Sequence, residues 1–268
     1  MKTILIVSLA ITLGLMAQAQ GAIYTLTAGN SAAQFNSNGD TAFVWSVDGN
    51  NQLYDEQFFY RVGDTGPEHS FGSLILSGYV QPTADTLTAT YGSLLGGFVA
   101  TVSYNLDGGA PGNSALYEDV SITAGINPVS FHLFEYTDLD LNGTMNDDRV
   151  SIVRMPPAAA LAIQNDATGP EYSESIGVLA PNHVEAALFD STLLKLNDGV
   201  ATTLNDVLTA GPGDVTWAFQ WDMTIAPFQT VTIQKAKLLA PIPEPMTMVG
   251  LLMAIGGISS YVRKYRKA

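Results

Sequence analysis

The clearest pattern along the chain is an alternation of apolar residues with polar or small ones between Asp214 and Ile225. The apolar positions are Val215, Trp217, Phe219, Trp221, Met223 and Ile225. A period of two is typical of a β-strand, in which successive side chains point to opposite faces of a sheet. We therefore predict a strand with one buried face. This assigns Trp217 and Trp221 to the core, in preference to an exposed platform that stacks on sugars.

A second alternating segment, with Phe98 and Leu106 at its ends, carries the same pattern. Further strand-like segments follow at intervals of about ten residues, separated by clusters of Gly, Pro, Asn and Asp. These segments are 22–28, 41–47, 56–62, 72–80, 85–91, 117–123, 129–139, 149–155 and 229–239. Such spacing favours an all-β fold, an antiparallel β-sandwich of jelly-roll-like type, over alternating strands and helices. We predict that residues 20–239 form this domain.

Helix signals within the domain are few. The best one covers 202–211, where a threonine can cap the start and Gly211 follows the end. The segment 180–196 fits a strand or a helix, and the pattern does not decide between them.

The N-terminus predicts export. Lys2 precedes an apolar run, Ile4–Met16, which is short for a membrane span. Ala17 and Ala19 then supply the small residues of a cleavage site. We interpret residues 1–19 as a secretory signal peptide.

The C-terminus predicts a membrane segment. Met246–Val262 contains no charged residue and reaches the lower limit for a spanning helix. Basic residues follow at once, at Arg263, Lys264, Arg266 and Lys267. A basic cluster beside an apolar segment prefers the cytoplasmic side and stops transfer. We therefore expect one transmembrane helix over 246–262 and a cytoplasmic tail over 263–268.

A proline-bracketed glutamate lies just before the apolar run, at Pro243, Glu244 and Pro245. The prolines favour an extended, accessible spacer over 240–245. This motif, followed by a short apolar helix and a basic end, resembles the PEP-CTERM sorting signal. The resemblance implies an exosortase as processing partner in a Gram-negative bacterium that makes exopolysaccharide. It also implies a tail that is removed or exchanged after export, and a final location at the cell surface or in the extracellular matrix.

Charge narrows the possible partners. The whole chain has 11 basic and 25 acidic residues, of which Lys2, the four basic residues of the tail and Glu244 lie outside residues 20–239. The predicted domain therefore has 6 basic and 24 acidic residues and a net charge of −18. Such a surface repels nucleic acid and anionic lipid and is compatible with divalent cations. The sequence has no cysteine, which excludes disulfides, thiolate metal sites and a cysteine nucleophile.

One acidic segment is a candidate metal site. Its oxygen-bearing side chains are Asp138, Asp140, Asn142, Asp147 and Asp148. Hard oxygen ligands suit Ca²⁺, but Arg149 occupies the position where an EF-hand requires a carboxylate, so a true EF-hand is excluded. A looser Ca²⁺ loop remains open. The alternative is a solvated hairpin, because Asn142-Gly143 favours a type I′ turn.

Enzyme motifs are scarce. The three histidines, His69, His132 and His183, belong to no recognisable catalytic motif, and no nucleophile elbow or phosphate loop occurs. A carboxylate pair for glycoside hydrolysis can be neither located nor excluded among so many acids. We therefore expect a noncatalytic surface or matrix protein without a required cofactor. The alternatives are a carbohydrate-binding sandwich, assisted by Ca²⁺, and a carboxylate-based glycosidase.

Overall fold

The computed structural model describes residues 22–240, except 37–40, 94–96, 156–158, 168–170 and 178. Two antiparallel sheets dominate the described chain and pack face to face as a β-sandwich-like fold. Sheet A consists of β1 (Ile23–Ala28), β2 (Ser31–Asn36), β3 (Thr41–Val47), β4 (Asn50–Asn51), β5 (Asp55–Val62), β6 (His69–Ser70), β11 (Val129–Asp138), β15 (His183–Leu188) and β17 (Val215–Ile225). Its main strand order is β1-β2-β3-β5-β11-β17-β15, with β4 paired to β3 and β6 paired to β5.

Sheet B forms the second layer. It consists of β7 (Ile75–Val80), β8 (Thr86–Ser93), β9 (Phe98–Gly108), β10 (Ser114–Ala124), β12 (Asp148–Met155), β13 (Ala159–Asn165), β14 (Glu171–Gly177), β16 (Thr209–Gly213) and β18 (Thr230–Ala240). Its order is β16-β12-β13-β14-β18-β10-β9-β8-β7. Among the described residues, the helical elements are α1 (Ser191–Leu196) and two 3₁₀ turns, Phe71–Ser73 and Leu141–Gly143.

The predicted antiparallel all-β architecture is confirmed. The alternating segment that ends at Ile225 is strand β17, next to β11 in sheet A. Trp217 and Trp221 are fully buried, as the pattern predicts. Both belong to the main core between the sheets, where Trp217 packs against Tyr172 with ring centroids 5.2 Å apart.

The predicted helix over 202–211 is wrong. This segment crosses the outer face of sheet A in extended form, and its end contributes strand β16. Its backbone N–H groups donate to side chains of the protein body instead of to one another. Thr202 N donates to Glu68 Oε1 at 2.9 Å, and Asn205 N donates to Glu185 Oε2 at 2.9 Å. The ambiguous segment 180–196 contains both elements, since β15 is followed directly by α1.

The hairpin alternative for the acidic segment is half right. Asn142 and Gly143 have φ angles of 59° and 71°, and Thr144 N donates to Leu141 O at 3.1 Å. This is the geometry of a type I′ turn. The flanking strands β11 and β12 belong to different sheets, however, so residues 139–147 form a crossover between the two layers and not a hairpin.

The predicted targeting segments lie outside the described residues and stay predictions. They comprise the signal peptide with Ala17 and Ala19, the Pro243-Glu244-Pro245 motif, the apolar run 246–262 and the basic residues after it. Within the part of the chain that the structure describes, the helices are too short and too polar to cross a membrane.

Candidate functional site

The first candidate site lies at one end of sheet A, where β11 ends and β17 begins. Asp138 and Asp140 come from the end of β11 and the start of the crossover, and Asp214 directly precedes β17. Each of the three offers a carboxylate oxygen within 4.8 Å of the others. We call these residues the corner trio. Asp138 forms its buried back wall, whereas Asp140 and Asp214 are half-buried.

The pKa values of all three carboxyls in the corner trio are raised. Burial raises the pKa of Asp138 to about 8, and the negative charges of Asp214 and Asp140 add to the rise. Burial also raises the pKa of Asp140 and of Asp214, each with a contribution from a neighbouring aspartate. The Tyr136 hydroxyl donates to Asp138 Oδ2 at 3.3 Å, which stabilises the carboxylate only in part. Perturbed titratable groups that cluster in this way are a common mark of functional sites.

Two exposed aromatic rings flank the corner trio. Tyr54 and Phe189 make an edge-to-face pair with centroids 6.2 Å apart, and they are 56% and 39% exposed. Both are anchored to the trio through the backbone: Tyr54 N donates to Asp138 O at 3.0 Å, and Phe189 N donates to Asp214 O at 2.9 Å. The two rings therefore belong to residues whose backbone is bonded directly to the backbone of two trio members. We call the two rings and the corner trio the aromatic–aspartate corner.

A second acidic cluster lies at the other end of the crossover. Asp147 and Asp148 lead into β12, and Asp166 follows β13, the neighbouring strand. Their carboxylate oxygens also lie within 4.8 Å of one another. Asp148 and Asp166 are buried, and Thr144 Oγ1 donates to Asp166 Oδ2 at 2.6 Å. We call Asp147, Asp148 and Asp166 the crossover trio.

The structure thus divides the predicted metal loop in two. Asp138 and Asp140 belong to the corner trio, whereas Asp147 and Asp148 belong to the crossover trio. Asn142 joins neither cluster; it forms the turn between them, and its backbone N donates to Gln52 Oε1 at 2.8 Å. A single Ca²⁺ loop that uses all five predicted residues does not match this arrangement.

A histidine–aspartate network lies on the outer face of sheet A, at the opposite end of β11 from Asp138. Asp222 Oδ1 accepts a hydrogen bond from His132 Nδ1 at 2.6 Å, and Asp222 Oδ2 is 3.8 Å from His183 Nε2. His183 Nδ1 contacts Asp206 Oδ2 at 2.9 Å. Burial acts to raise the pKa of Asp222, but hydrogen bonds from His132 and Gln220 outweigh it and lower that pKa. Asp222 therefore stays ionised and orients the imidazole.

The sequence signal for these sites was incomplete. Asp166 and Asp214 lie far along the chain from the acidic segment, and only the pairing of β12 with β13 and of β11 with β17 brings them to it. The alternating pattern does give one usable signal for the network. His132 and Asp222 both occupy outward positions of strands predicted from sequence. The sequence does not show that these two residues pair across β11 and β17.

The β-sandwich-like fold of the described chain resembles folds in proteins of known structure. No protein-family model and no curated protein sequence matches the chain. Among solved structures, a proposed aldose 1-epimerase from Escherichia coli K12 is similar, with a TM-score of 0.54 and 12% identity. The match covers 82% of this chain and 99% of that one.

Two larger proteins contain a similar fold. One is a bacterial glucoamylase in complex with acarbose, with a TM-score of 0.60, 10% identity, and coverage of 90% of this chain and 36% of that one. The other is a proposed kojibiose phosphorylase from the human microbiome, with a TM-score of 0.50, 9% identity, and coverage of 88% and 33%. This chain spans about a third of the length of these two proteins.

These neighbours correct the expectation that the protein is not an enzyme. That expectation was based on the lack of catalytic sequence motifs. The fold is nevertheless shared with proteins named for reactions on carbohydrates, at identities of 12% or less. The lack of familiar motifs is therefore not evidence against catalysis in this fold.

Proposed function

We propose that the protein recognises carbohydrate at the aromatic–aspartate corner. The observation that carries the proposal is the exposed ring pair of Tyr54 and Phe189, whose backbone N–H groups bond to trio residues Asp138 and Asp214. A pyranose ring has apolar C–H faces and polar edges. An aromatic ring can stack on the C–H face, and convergent polar groups can hydrogen-bond to the hydroxyls at the edge.

The charge state of the corner supports the same ligand. Because the pKa of Asp138 is about 8, this carboxyl retains its proton near neutral pH, while its neighbours share the remaining negative charge. The neutral Asp138 lowers the repulsion at the corner, and the half-buried carboxylates of Asp140 and Asp214 can accept hydrogen bonds from sugar hydroxyls. An anionic ligand would be repelled by Asp140 and Asp214, so a neutral sugar is favoured over an acidic one.

Glycan-array screening of the full chain, followed by titration with the best ligand, tests this proposal. Tyr54→Ala and Phe189→Ala should each weaken binding about tenfold, as for aromatic anchors of binding sites. Phe228→Ala is the matched control, because Phe228 is 71% exposed in the turn that follows β17, at the far end of that strand. Equal affinity in all three variants would refute the corner as the sugar site.

A second candidate function is acid–base chemistry on a sugar at the histidine–aspartate network. His132 Nδ1–H is held by Asp222, which leaves the Nε2 lone pair as a base. Nε2 is buried without a hydrogen-bond partner, with Asp64 Oδ1 3.6 Å away, so a sugar hydroxyl reaches it only if neighbouring side chains move. Anomer interconversion requires a base that takes the proton of the anomeric hydroxyl and an acid that protonates the ring oxygen. His132 and His183, on either side of Asp222, can fill these two roles.

The test of this second candidate is NMR observation of α/β equilibration of a freshly dissolved reducing sugar. His132→Ala should remove acceleration over buffer, whereas His69→Ala should retain it, because His69 packs against Tyr60 and pairs with neither Asp222 nor Asp206 in the described chain. No acceleration by the unmodified protein would refute this activity and leave the binding proposal untouched.

The location proposed for this activity is outside the cytoplasm. The signal peptide and the PEP-CTERM-like end would deliver the protein through the inner membrane to an exosortase-like enzyme, anchored for a time by the apolar run. An exopolysaccharide would then be the natural carbohydrate partner. The −18 charge of residues 20–239 would keep such a protein soluble beside other secreted material.

A further inference from the structure

Few basic residues in the described part of the chain are free to neutralise its acidic clusters. Of the six lysines and arginines between residues 20 and 239, five already form ion pairs with acids outside the two trios. They are Arg61, Arg154, Lys195, Lys235 and Lys237. The sixth, Arg149, is exposed and forms no ion pair in the described chain.

The crossover trio is the more deeply enclosed of the two acidic clusters. Asp148 is 0% exposed and Asp166 is 2% exposed, with Asp147 beside them. Neither Asp147 nor Asp148 has a lysine or arginine partner among the described residues. Burying carboxylates side by side without a positive charge is costly, so the fold gains if an external cation binds there.

Buried oxygen atoms at this cluster also lack donors. Asp148 Oδ2 accepts a hydrogen bond from Gln164 Nε2, and the backbone N–H of Leu141 lies near the same carboxylate. Asp148 Oδ1 is buried without a hydrogen-bond partner of its own. The amide of Gln164 therefore lies against the carboxylate, and its own Oε1 is buried without a partner too. Gln164 Oε1, an unsatisfied hard oxygen from outside the trio, is an independent sign of a missing ligand, because buried acceptors in native proteins are normally satisfied.

We propose that Asp147, Asp148 and Asp166 bind a divalent cation of the Ca²⁺ type. The donors are all oxygens, which suits a hard cation, and the carboxylate of Asp147 is accessible enough for entry of the ion. The bound ion would join the end of the crossover to the end of β13. It would thereby fix the segment that carries the chain from sheet A to sheet B.

The test uses the full chain, stripped of metal with EGTA, and titrates CaCl₂ by calorimetry and by thermal unfolding. For a site with Kd on the order of 10⁻³ M, as in extracellular modules, 10 mM Ca²⁺ should raise the Tm by about 3–6 °C. Asp148→Asn with Asp166→Asn should weaken Ca²⁺ binding at least tenfold and abolish the shift. Asp64→Asn, which removes one exposed carboxylate elsewhere, should keep both.

The Tm of the metal-free Asp148→Asn protein shows whether Asp148 serves to bind metal or only to stabilise the fold. Loss of a repelling buried charge should leave the Tm of the metal-free Asp148→Asn protein equal to or above that of the unmodified protein. Asp147→Asn, at a half-buried position, provides a second variant that tests binding without altering the buried pair. Two results would overturn the proposal. One is a Tm shift that is equal in Mg²⁺ and Ca²⁺ and is retained by the double variant. The other is Ca²⁺ binding that is lost only when the corner trio is substituted.

Discussion

Lys235 on β18 donates to Glu135 on β11, with Nζ and Oε1 2.6 Å apart, so a buried ion pair joins the two sheets. The pair belongs to an interior cluster. Lys235 Nζ is also 2.5 Å from Glu118 Oε2, and Lys237 pairs with Glu56. Two lysines thus face three glutamates between the sheets, where a sandwich normally carries apolar side chains.

Removing one cation from this cluster should be strongly destabilising. Lys235→Met leaves Glu118 and Glu135 buried with Lys237 as their remaining partner in the cluster. An uncompensated buried charge typically costs about 3–5 kcal/mol of folding stability. Urea unfolding measures this loss, and Arg149→Met, which removes an exposed positive charge, should change stability by about 0.5 kcal/mol or less. Equal losses in the two variants would mean that the cluster contributes nothing specific.

The same cluster predicts a pH dependence of stability. Burial, followed by the charge of Glu56, raises the pKa of Glu118 above 4.5, although both lysines act in the opposite direction. A carboxyl with a raised folded-state pKa contributes stability that is complete below its unfolded pKa. That contribution is lost as the pH rises through the folded value.

Glu118→Gln removes this titration while it retains the shape of the side chain. As the pH rises from 4.5, the free energy of unfolding of the unmodified protein should therefore fall relative to that of Glu118→Gln. Urea unfolding of both proteins at several pH values up to 8 gives the difference directly. A difference that stays constant over this range would show that Glu118 titrates normally.

The buried tryptophans allow a test of the core. Trp217 is 0% exposed and packs between the sheets, so Trp217→Ala should lower the free energy of unfolding by about 3–5 kcal/mol. Tyr54→Ala, at an aromatic ring that is 56% exposed, is the matched control and should cost far less. Chemical denaturation at one pH compares the two. A negligible loss for Trp217→Ala would contradict its place in the core.

Sequence periodicity predicted most of the strands whose inward positions are large and apolar. It missed β2, β13, β14 and the short strands β4, β6 and β16. The inward positions of β2 and β13 include Ala33, Ala160 and Ala162. Alanine has low strand propensity and gives little hydrophobic contrast, yet it suits positions where facing sheets approach closely. Periodicity therefore identifies a strand only when its inward and outward side chains differ clearly in hydrophobicity. It does not identify strands whose inward residues are small.

The candidate sites show a second limit. Asp138 and Asp148 were found because they share one acidic segment, but Asp166 and Asp214 join them only through strand pairing. The sequence contains no local signal for such partners. The same holds for Glu135 and Lys235, which are 100 residues apart along the chain and meet only when the sheets pack.

The C-terminal signal gives the last prediction. If Pro243-Glu244-Pro245 directs processing in a host with an exosortase, the tail should be cut off after export. Mass spectrometry of the mature exported protein should then find no peptide from 263–268, although peptides of β18 are abundant. Replacing all three motif residues by alanine should restore the tail peptide, because the extended recognition segment is lost while the apolar run and the basic cluster remain. An intact basic tail on the unmodified mature protein would contradict processing and indicate a permanent single-pass anchor.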